Sequence, residues 1–353
     1  MLSNKYLPAK LILKDGSEYQ GYSFGYPKNV NGEVVFTTGM VGYVESLTDP
    51  SYTGQILLCT YPLIGNYGVP AGLHNFESNG IKIRALIVSS YIDNYSHWQA
   101  STSLAEWLKQ NKIPAIFGID TRALTKKIRT TGVILGKIII NNKSKINLED
   151  PNKLNLVSEV SVKKPIYYSK GKKKIILIDC GMKLSILRNL LKLGITVKRV
   201  PWDYNFSNEE YDGLFISNGP GDPAKCEQTI NNVKLALQKK IPMFGICLGS
   251  QIMALASGAK TYKMKFGHRS QNQPCLELGT RRCYLTTQNH GYAIKINTLP
   301  SDWQPWFTNV NDQTNEGIKH KYRPFSAVQF HPEANPGPND TNYLFAEFIK
   351  SMK

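Results

Sequence analysis

The chain has 353 residues, which exceeds the roughly 100–200 residues of one average domain, so we expect two domains. Its hydrophobic content of 41% is ordinary for a globular protein, and no stretch approaches the ~18 consecutive apolar residues of a membrane span. The N-terminal residues lack the apolar segment and the cleavage site of a secretory signal. We therefore expect a cytoplasmic protein with no membrane association.

The formal net charge is +17, from 43 Lys and Arg residues against 26 Asp and Glu residues. Such an excess is compatible with a nucleic-acid partner, but most of the basic residues are dispersed lysines. The densest run is KGKKK at 170–174, just before an apolar segment. The six cysteines include no C-x-x-C pair, so they indicate reduced thiols rather than disulfides or a zinc site. We expect neither a nucleic-acid partner nor a bound metal.

The first 140 residues are predicted to form short strands and turns. The segment around Asp15-Gly16 alternates polar and apolar residues on both sides of a hairpin signal. Residues 103–111, SLAEWLKQN, have helical spacing, with Leu104, Trp107 and Leu108 on one face. Further strand-like runs are GEVVFTTG (32–39), GQILLCTYPLIGN (54–66), IKIRALIVSS (81–90) and VILGKIII (133–140).

A polar stretch with two prolines follows at 141–173 and separates two parts of different character. We predict a smaller, strand-rich α/β domain at 1–155, a linker at 156–172 and a second domain at 173–353. In the second domain, strand-like and helix-like runs alternate, which predicts a doubly wound, mostly parallel sheet of the α/β class. Such sheets bind ligands beyond the carboxyl ends of their strands.

A cysteine occupies one such strand end, in the segment GICLG at 245–249. The spacing is that of the G-x-S-x-G nucleophile elbow, with sulfur in place of oxygen. The flanking glycines relieve crowding at the turn, and the N-terminus of the following helix lowers the pKa of a thiol such as Cys247. The backbone N–H of Leu248 would then face a developing oxyanion. The alternative is a buried, unreactive cysteine.

A histidine and a carboxylate follow a later strand, in SAVQFHPEANPGP at 326–338. His331 and Glu333 are two residues apart, and extended backbone projects such positions to the same face. A carboxylate that orients an imidazole is the arrangement that activates a cysteine nucleophile. A lone histidine near a strand end is more often structural, and that remains the alternative for His331.

A glycine-proline loop, SNGPGDPAKC at 217–226, follows a third strand. It superficially resembles a dinucleotide-binding fingerprint, but Pro220 and Pro223 remove N–H groups that a pyrophosphate needs. The N–H groups of Gly219 and Gly221 suit a smaller anion or polar group, and a plain strand-to-helix connection is the alternative. GVILGK at 132–137 is not a P-loop, so another polypeptide would have to bind any ATP.

Together these motifs carry a family resemblance. The chain resembles class I (triad-type) glutamine amidotransferases in PMFGICLGSQIMALASGAKTYK (242–263), SNGPGDPAKC (217–226), TTQNHGYAI (286–294) and FHPEA (330–334). Residues 32–70, 117–132, 262–274 and 309–318 further resemble the small, glutamine-hydrolysing subunit of carbamoyl phosphate synthetase. The similarity covers nearly the whole chain except the linker.

The resemblance implies roles for individual residues. Cys247 would attack the side-chain amide of glutamine, His331 would act as base and then acid, and Glu333 would orient His331. The oxyanion would rest on the N–H groups of Leu248 and Gly219. Residues implied to hold L-glutamine are Ser51, Gly219, Gly221, Leu248, Gln251, Asn289, Gly291 and Tyr292.

The resemblance also implies a partner. Ammonia would pass through an internal tunnel to a large subunit, in a heterodimer that can assemble further. That subunit would bind ATP, Mg and K and make carbamoyl phosphate from bicarbonate and two ATP, for pyrimidine and arginine biosynthesis. This chain would need no cofactor. Position 250, usually His in the family motif, is Ser250 here. The alternative function is a catalytically silent scaffold or regulatory subunit of an ammonia-dependent synthetase.

Overall fold

A computed structural model describes residues 5–72, 74–140 and 146–352 of the chain. The chain divides into two compact units, Met1–Leu154 and Asn155–Lys353. The first five residues of the polar stretch at 141–173 lie outside the described residues. Within the described residues, no helix has both the length and the apolar character that a bilayer crossing requires.

The first unit is strand-rich, and seven strands of its described residues close into a barrel in the order β1-β2-β8-β6-β4-β3-β9. Strands β5 and β7 pair separately. The elements are β1 (Leu7–Leu13), β2 (Glu18–Ser23), β3 (Val30–Thr37), α1 (Tyr43–Thr48), β4 (Gln55–Cys59), β5 (Val69–Pro70), β6 (Ala85–Ile87), β7 (Ala100–Thr102), α2 (Leu104–Gln110), β8 (Ala115–Phe117), α3 (Thr121–Thr131) and β9 (Ile134–Ile139).

Local sequence explains two of these elements. The predicted hairpin is confirmed: β1 and β2 pair antiparallel around Gly16, whose φ of +86° suits glycine. The helix α2 begins with a capping box, in which Ser103 and Glu106 each bond the other's backbone N–H. Leu104 and Leu108 are fully buried, as the helical spacing predicts.

The second unit is built on one mixed sheet. Its described strands follow the order β10-β12-β11-β13-β14-β19-β18-β17-β15-β16. The elements are α4 (Val157–Val160), β10 (Ile166–Tyr168), β11 (Lys174–Asp179), α5 (Leu184–Lys192), β12 (Thr196–Pro201), β13 (Gly213–Ile216), α6 (Glu227–Ala236), β14 (Met243–Ile246), α7 (Leu248–Ala256), β15 (Lys260–Glu277), β16 (Cys283–Lys295), β17 (Trp303–Asn309), β18 (Asn315–His320), β19 (Phe325–Val328) and α8 (Tyr343–Ser351).

Helices cover both faces of this sheet. Residues of α6 and α7, such as Val233 and Ile252, share one buried cluster with the sheet. Residues of α5 and α8, such as Leu190 and Phe345, share another cluster on the sheet. The α/β class and the strand-rich first part are therefore confirmed.

The carboxyl ends of the parallel strands β11, β13, β14 and β19 meet at one edge, where Cys247 follows β14 and His331 follows β19.

The sheet is less parallel than the sequence pattern predicts. Five neighbouring strands, from β12 to β19, run parallel, whereas the pairs β19·β18, β18·β17, β17·β15 and β15·β16 are antiparallel. Short connections at 278–282 and 310–314 join β15 to β16 and β17 to β18. A connection this short permits only antiparallel pairing, so the helix–strand alternation ends after α7.

Residues 156–172, expected to be a linker, carry elements of the second unit. The strand β10 pairs antiparallel with β12 at the sheet edge. The N–H of Val162 donates to Asp179 Oδ2 at 2.9 Å, and Ser161 Oγ accepts from the N–H of Trp202 at 3.0 Å. Val157, in α4, is buried in the sheet's core. These contacts attach the segment to the sheet that follows it.

Candidate active site

Cys247 occupies a strained turn between β14 and α7. Its backbone angles, a φ of 52° and a ψ of −107°, lie in a region that residues other than glycine rarely adopt. Its N–H donates to the carbonyl of Val328 at 2.8 Å, which fixes the turn against β19. A Cβ on Gly249 would lie 2.2 Å from the carbonyl oxygen of Ile216, so the backbones approach too closely for a side chain. Such strain, about 1–3 kcal/mol, concentrates at functional sites.

The thiol of Cys247 is almost completely enclosed. The residue is 2% exposed, and its Sγ lies 3.8 Å from the carbonyl oxygen of Asn289. Burial alone is compatible with an unreactive cysteine. The strained backbone and the neighbouring histidine favour a nucleophile instead, because a packing residue needs neither.

His331 and Glu333 form a buried hydrogen-bonded pair. Nδ1 of His331 donates to Glu333 Oε1 at 2.6 Å, and the N–H of His331 donates to the carbonyl of Thr287 at 2.9 Å. Burial would lower the pKa of His331, but the charge of Glu333 and the neighbouring Cys247 raise it to about 10. The pair therefore favours an imidazolium beside the sulfur.

The second ring nitrogen of His331 faces the place where chemistry would occur. Nε2 is buried and makes no hydrogen bond of good geometry to any described protein atom. The Cys247 thiol is nevertheless near enough to raise the pKa of the ring. A base in this position can take the thiol proton and later deliver it to a leaving group.

A buried lysine completes the charge arrangement, and the sequence analysis did not identify it. Lys183 Nζ lies 3.2 Å from Glu333 Oε1 and donates to the carbonyl of Ala334 at 2.6 Å. Burial would raise the pKa of Glu333, but the charges of Lys183 and His331 lower it to about 2. Lys183 precedes α5 just after β11, so its place at a strand end was the signal available in the sequence.

The glycine-proline loop passes directly beside the elbow. A Cβ on Gly219 would lie 2.0 Å from the carbonyl oxygen of Cys180 and 2.7 Å from Leu248 Cδ2. Position 219 therefore requires glycine, and this backbone lies against the first residue of α7. Gly221 has a φ of +82° and faces Leu156. The two residues expected to stabilise an oxyanion, Gly219 and Leu248, are thus neighbours.

Other predicted glutamine-binding residues of this unit lie on α7 and β16. Gln251 Nε2 donates to the carbonyl of Tyr292 at 2.8 Å and to Gln329 Oε1 at 3.0 Å. Asn289 approaches the Cys247 sulfur through its carbonyl, and Gly291 leaves room for Arg269, whose Nη2 would lie 3.1 Å from a Cβ there. The structure therefore brings this strand alongside the elbow.

Two further positions complete the description. Ser51 lies in a short 3-10 helix of the first unit, where its N–H donates to Asp49 Oδ1 at 2.9 Å. Its predicted role in holding glutamine stays a prediction. Ser250, at the position that departs from the family motif, is fully buried and donates to the carbonyl of Cys247 at 2.8 Å. A serine there supports the first turn of α7.

One group in the described residues has donors suited to a metal. His268, His290 and Glu316 each place one ligand atom within 4.8 Å of the others. Two histidines and a carboxylate are a donor set that zinc uses. However, Nδ1 of His268 already bonds Glu316 Oε1 at 3.1 Å, and Nε2 of His290 already bonds Gln288 Oε1 at 3.0 Å. We therefore describe these residues as a hydrogen-bonded cluster.

Comparisons with known proteins agree with both units. Residues 176–351 match the family described as glutamine amidotransferase class-I, and residues 11–138 match the carbamoyl-phosphate synthase small chain, CPSase domain. The second unit, with its strand-end cysteine, histidine and glutamate, is thus a class I glutamine amidotransferase domain. The chain belongs to the family of carbamoyl-phosphate synthase small chains, which confirms the resemblance carried by its motifs.

Several curated relatives are similar over nearly the whole chain. "Multifunctional protein CAD" of Squalus acanthias is 55% identical over 98% of this chain and 16% of its own length. "Carbamoyl-phosphate synthase [ammonia], mitochondrial" of Mus musculus is 50% identical over 100% of this chain and 24% of its own length. "Multifunctional protein pyr1-3" of Dictyostelium discoideum is 50% identical over 97% of this chain and 17% of its own length. The chain thus spans less than a quarter of the length of these relatives.

Proposed function

We propose that this chain hydrolyses L-glutamine and supplies the ammonia for carbamoyl phosphate synthesis. The observation that carries the proposal is the strained Cys247 beside the buried His331–Glu333 pair. Gln251, Asn289, Gly291 and Tyr292 would hold the substrate in this unit.

The first step forms a covalent bond. The proton of the thiol is held by His331 Nε2, in the imidazolium that the site favours, and the sulfur attacks the side-chain amide carbon of glutamine. The carbonyl electron pair moves to oxygen, where the N–H groups of Leu248 and Gly219 would stabilise it. Loss of one such donor costs about 10²–10³-fold in rate.

The next steps release both products. The tetrahedral intermediate collapses, the C–N bond breaks, and His331 gives its proton to the departing nitrogen, so ammonia leaves and a thioester remains. Water then gives a proton to His331 while its oxygen attacks the thioester carbon. The C–S bond breaks, glutamate leaves, and the sulfur regains its proton.

Ammonia reacts as a nucleophile only while unprotonated, so its transfer calls for a sheltered route to a synthetase. We propose that a large subunit receives it, binds ATP, Mg and K, and makes carbamoyl phosphate from bicarbonate and two ATP. The relatives' names support this partner, and their greater length fits synthetase domains carried on the same polypeptide. The product would serve pyrimidine biosynthesis and, with an appropriate partner, arginine biosynthesis.

A silent scaffold is the second candidate function. It is favoured by relatives named "Carbamoyl-phosphate synthase [ammonia]", which are 50% identical over the whole chain. Cys247, His331 and Glu333 support hydrolysis instead, because a scaffold has no use for a strained thiol beside an imidazole.

Replacement of the nucleophile tests the choice. In a complex of this chain with a candidate large subunit, Cys247→Ala is expected to abolish glutamine-dependent carbamoyl phosphate synthesis and to spare ammonia-dependent synthesis. Cys283→Ala, at an exposed cysteine, is the matched control and should change neither. Glutamine-dependent synthesis that survives Cys247→Ala would refute the assignment, and a wild-type complex that uses only ammonia would favour the scaffold.

A further inference from the structure

A buried polar cluster lies behind the glutamine-binding strand, and the hydrolysis steps above do not use it. It joins Glu316 of β18, His268 of β15, and Gln288 and His290 of β16. Glu316 is fully buried, and both histidines are at most 6% exposed. Charged groups in such a place are costly unless they are paired, so the cluster calls for a physical explanation.

His268 carries a positive charge in this cluster. Its Nδ1 faces Glu316 Oε1 at 3.1 Å and Gln288 Oε1 at 2.8 Å, and its Nε2 faces Asp312 Oδ2 at 2.9 Å. Because all three oxygens accept hydrogen bonds, the ring donates from both nitrogens. Burial lowers the pKa of His268, but Glu316 and Asp312 outweigh it and raise that pKa. Burial raises the pKa of Glu316 to about 7, while the hydrogen bond and charge of His268 work against that rise, so the Glu316 carboxylate depends on this ring as its counter-charge.

The cluster reaches the candidate site through His290. The pKa of His290 lies well below its usual range, chiefly because the ring is buried, so the ring is neutral and donates from one nitrogen only. Its Nε2 lies 3.0 Å from Gln288 Oε1, the oxygen that also faces His268 Nδ1. Its Nδ1 lies 2.9 Å from the carbonyl oxygen of Tyr292, the same oxygen that accepts from Gln251 Nε2. One carbonyl therefore connects the cluster to α7, the helix that begins beside Cys247.

The strand between these contacts touches the triad itself. The carbonyl of Thr287 accepts from the N–H of His331, and the carbonyl of Asn289 lies beside the Cys247 sulfur. The bond between Thr287 and His331 ties the near end of this strand to the triad, so a shift of residues 289–292 would displace the binding groups while His331 stays in place. Groups that hold this strand in place control the geometry of glutamine binding.

We propose that Glu316 is a positioning residue: through His268 and His290 it holds residues 289–292 of β16 where glutamine binds. This inference rests on the proposed function, because it names glutamine as the ligand of that strand. Glu316 does not touch the substrate. Its effect is on how tightly glutamine is held, more than on the chemical step.

Removal of the charge with little change of shape tests this role. In the complex, Glu316→Gln is expected to raise KM for glutamine about tenfold and to leave kcat within about twofold, since the amide keeps an oxygen for His268 but removes the charge that strengthens this hydrogen bond. Glu316→Asp keeps the charge and should restore part of the loss. The control, Asp302→Asn, breaks a similar carboxylate–histidine pair with His320 (2.9 Å) and should leave KM unchanged.

Binding without turnover separates this inference from the proposed function. In a Cys247→Ala background, Glu316→Gln should weaken glutamine binding about tenfold by calorimetry. If the wild type hydrolyses glutamine and this affinity is unchanged, Glu316 does not position the strand. If the affinity falls but the wild type hydrolyses no glutamine, the proposed function fails and the positioning role stands. A fall in kcat without a change in KM, or absence of glutamine binding, also overturns the inference.

Discussion

Glu333 lies between two cationic groups, Lys183 and the ring of His331, and all three side chains are almost completely buried. Removing one member of such a group leaves an uncompensated charge, which typically costs about 3–5 kcal/mol. The Glu333 carboxylate is thus stabilised from one side by the Lys183 side chain and from the other by the ring of His331. Lys183 acts on the ring through this carboxylate.

Lys183→Met is expected to destabilise the folded chain by about 3–5 kcal/mol at pH 7, as measured by urea denaturation. The pKa of Glu333 in the folded state is lowered to about 2. The stability that its charge contributes is therefore present above pH 4.5 and is lost as the pH falls toward 2. The difference in free energy of unfolding between the wild type and Lys183→Met should therefore shrink as the pH falls from 4.5.

The control for that experiment is Lys5→Met, which removes an exposed ion pair with Asp93. Solvent screens such a pair, so no measurable change is expected. The role assigned to Lys183 would be contradicted if Lys183→Met lowered the free energy of unfolding by the same amount at pH 7 and at pH 3.5.

Local sequence indicated Cys247, His331 and Glu333, because a strand-end thiol between glycines and a carboxylate two residues from a histidine are short-range patterns. It did not indicate Lys183, whose partner lies 150 positions away along the chain. The Glu316–His268 pair was missed for the same reason. Contacts between distant segments depend on strand order, which periodicity alone does not give.

At the scale of elements, the elbow depends on close backbone packing around α7. The N-terminus of this helix lies against the end of β13, where a Cβ on Gly249 would be 2.2 Å from the Ile216 carbonyl oxygen. A side chain there would move α7 outward and carry Cys247 and Leu248 with it. The glycine therefore sets the position of Cys247 as well as the shape of the turn.

Gly249→Ala is expected to lower the free energy of unfolding by about 1–3 kcal/mol and to slow alkylation of Cys247 by a glutamine-like chloroketone. The matched control is Gly279→Ala, since a Cβ at position 279 would meet nothing within 4 Å. Urea denaturation and mass spectrometry of the labelled thiol check both. If Gly249→Ala had the free energy of unfolding and the alkylation rate of the wild type, α7 would be able to shift without loss of stability.

The order of the sheet was predictable only in its first part. Apolar runs alternating with helical runs identified the parallel strands β11 to β14. The hairpins β15–β16 and β17–β18 show no such alternation, and β15 pairs with β17 across an intervening strand in the sequence. The residues of β16 that we propose to bind glutamine were therefore predictable from the family resemblance and not from periodicity.

At the scale of the whole molecule, the chain divides immediately before α4 rather than at the basic run that precedes β11. The segment 156–172 pairs with β12 and places Leu156 against Gly221 of the glycine-proline loop. The polar character and the two prolines of the longer stretch 141–173 made this segment resemble a linker. Two of its apolar residues, Leu156 and Val157, are nevertheless buried.

Two fragments test this division. Residues 155–353 are expected to unfold cooperatively and to melt several degrees above residues 173–353. The shorter fragment loses the hydrogen bonds of Ser161 and Val162, each contributing about 0.5–1.5 kcal/mol, and the burial of Leu156 and Val157. Equal melting temperatures in circular dichroism would show that 156–172 is a linker.

The enclosure of Cys247 has a consequence for the chemical lifetime of the protein. Peroxides oxidise thiolates that solvent can reach, and an active-site sulfur oxidised beyond sulfenic acid is lost permanently. Cys247 is 2% exposed, while Cys283 lies on the surface. Dissolved oxidants therefore meet the surface thiol of Cys283 first, and Cys247 is oxidised only when its surroundings open to solvent.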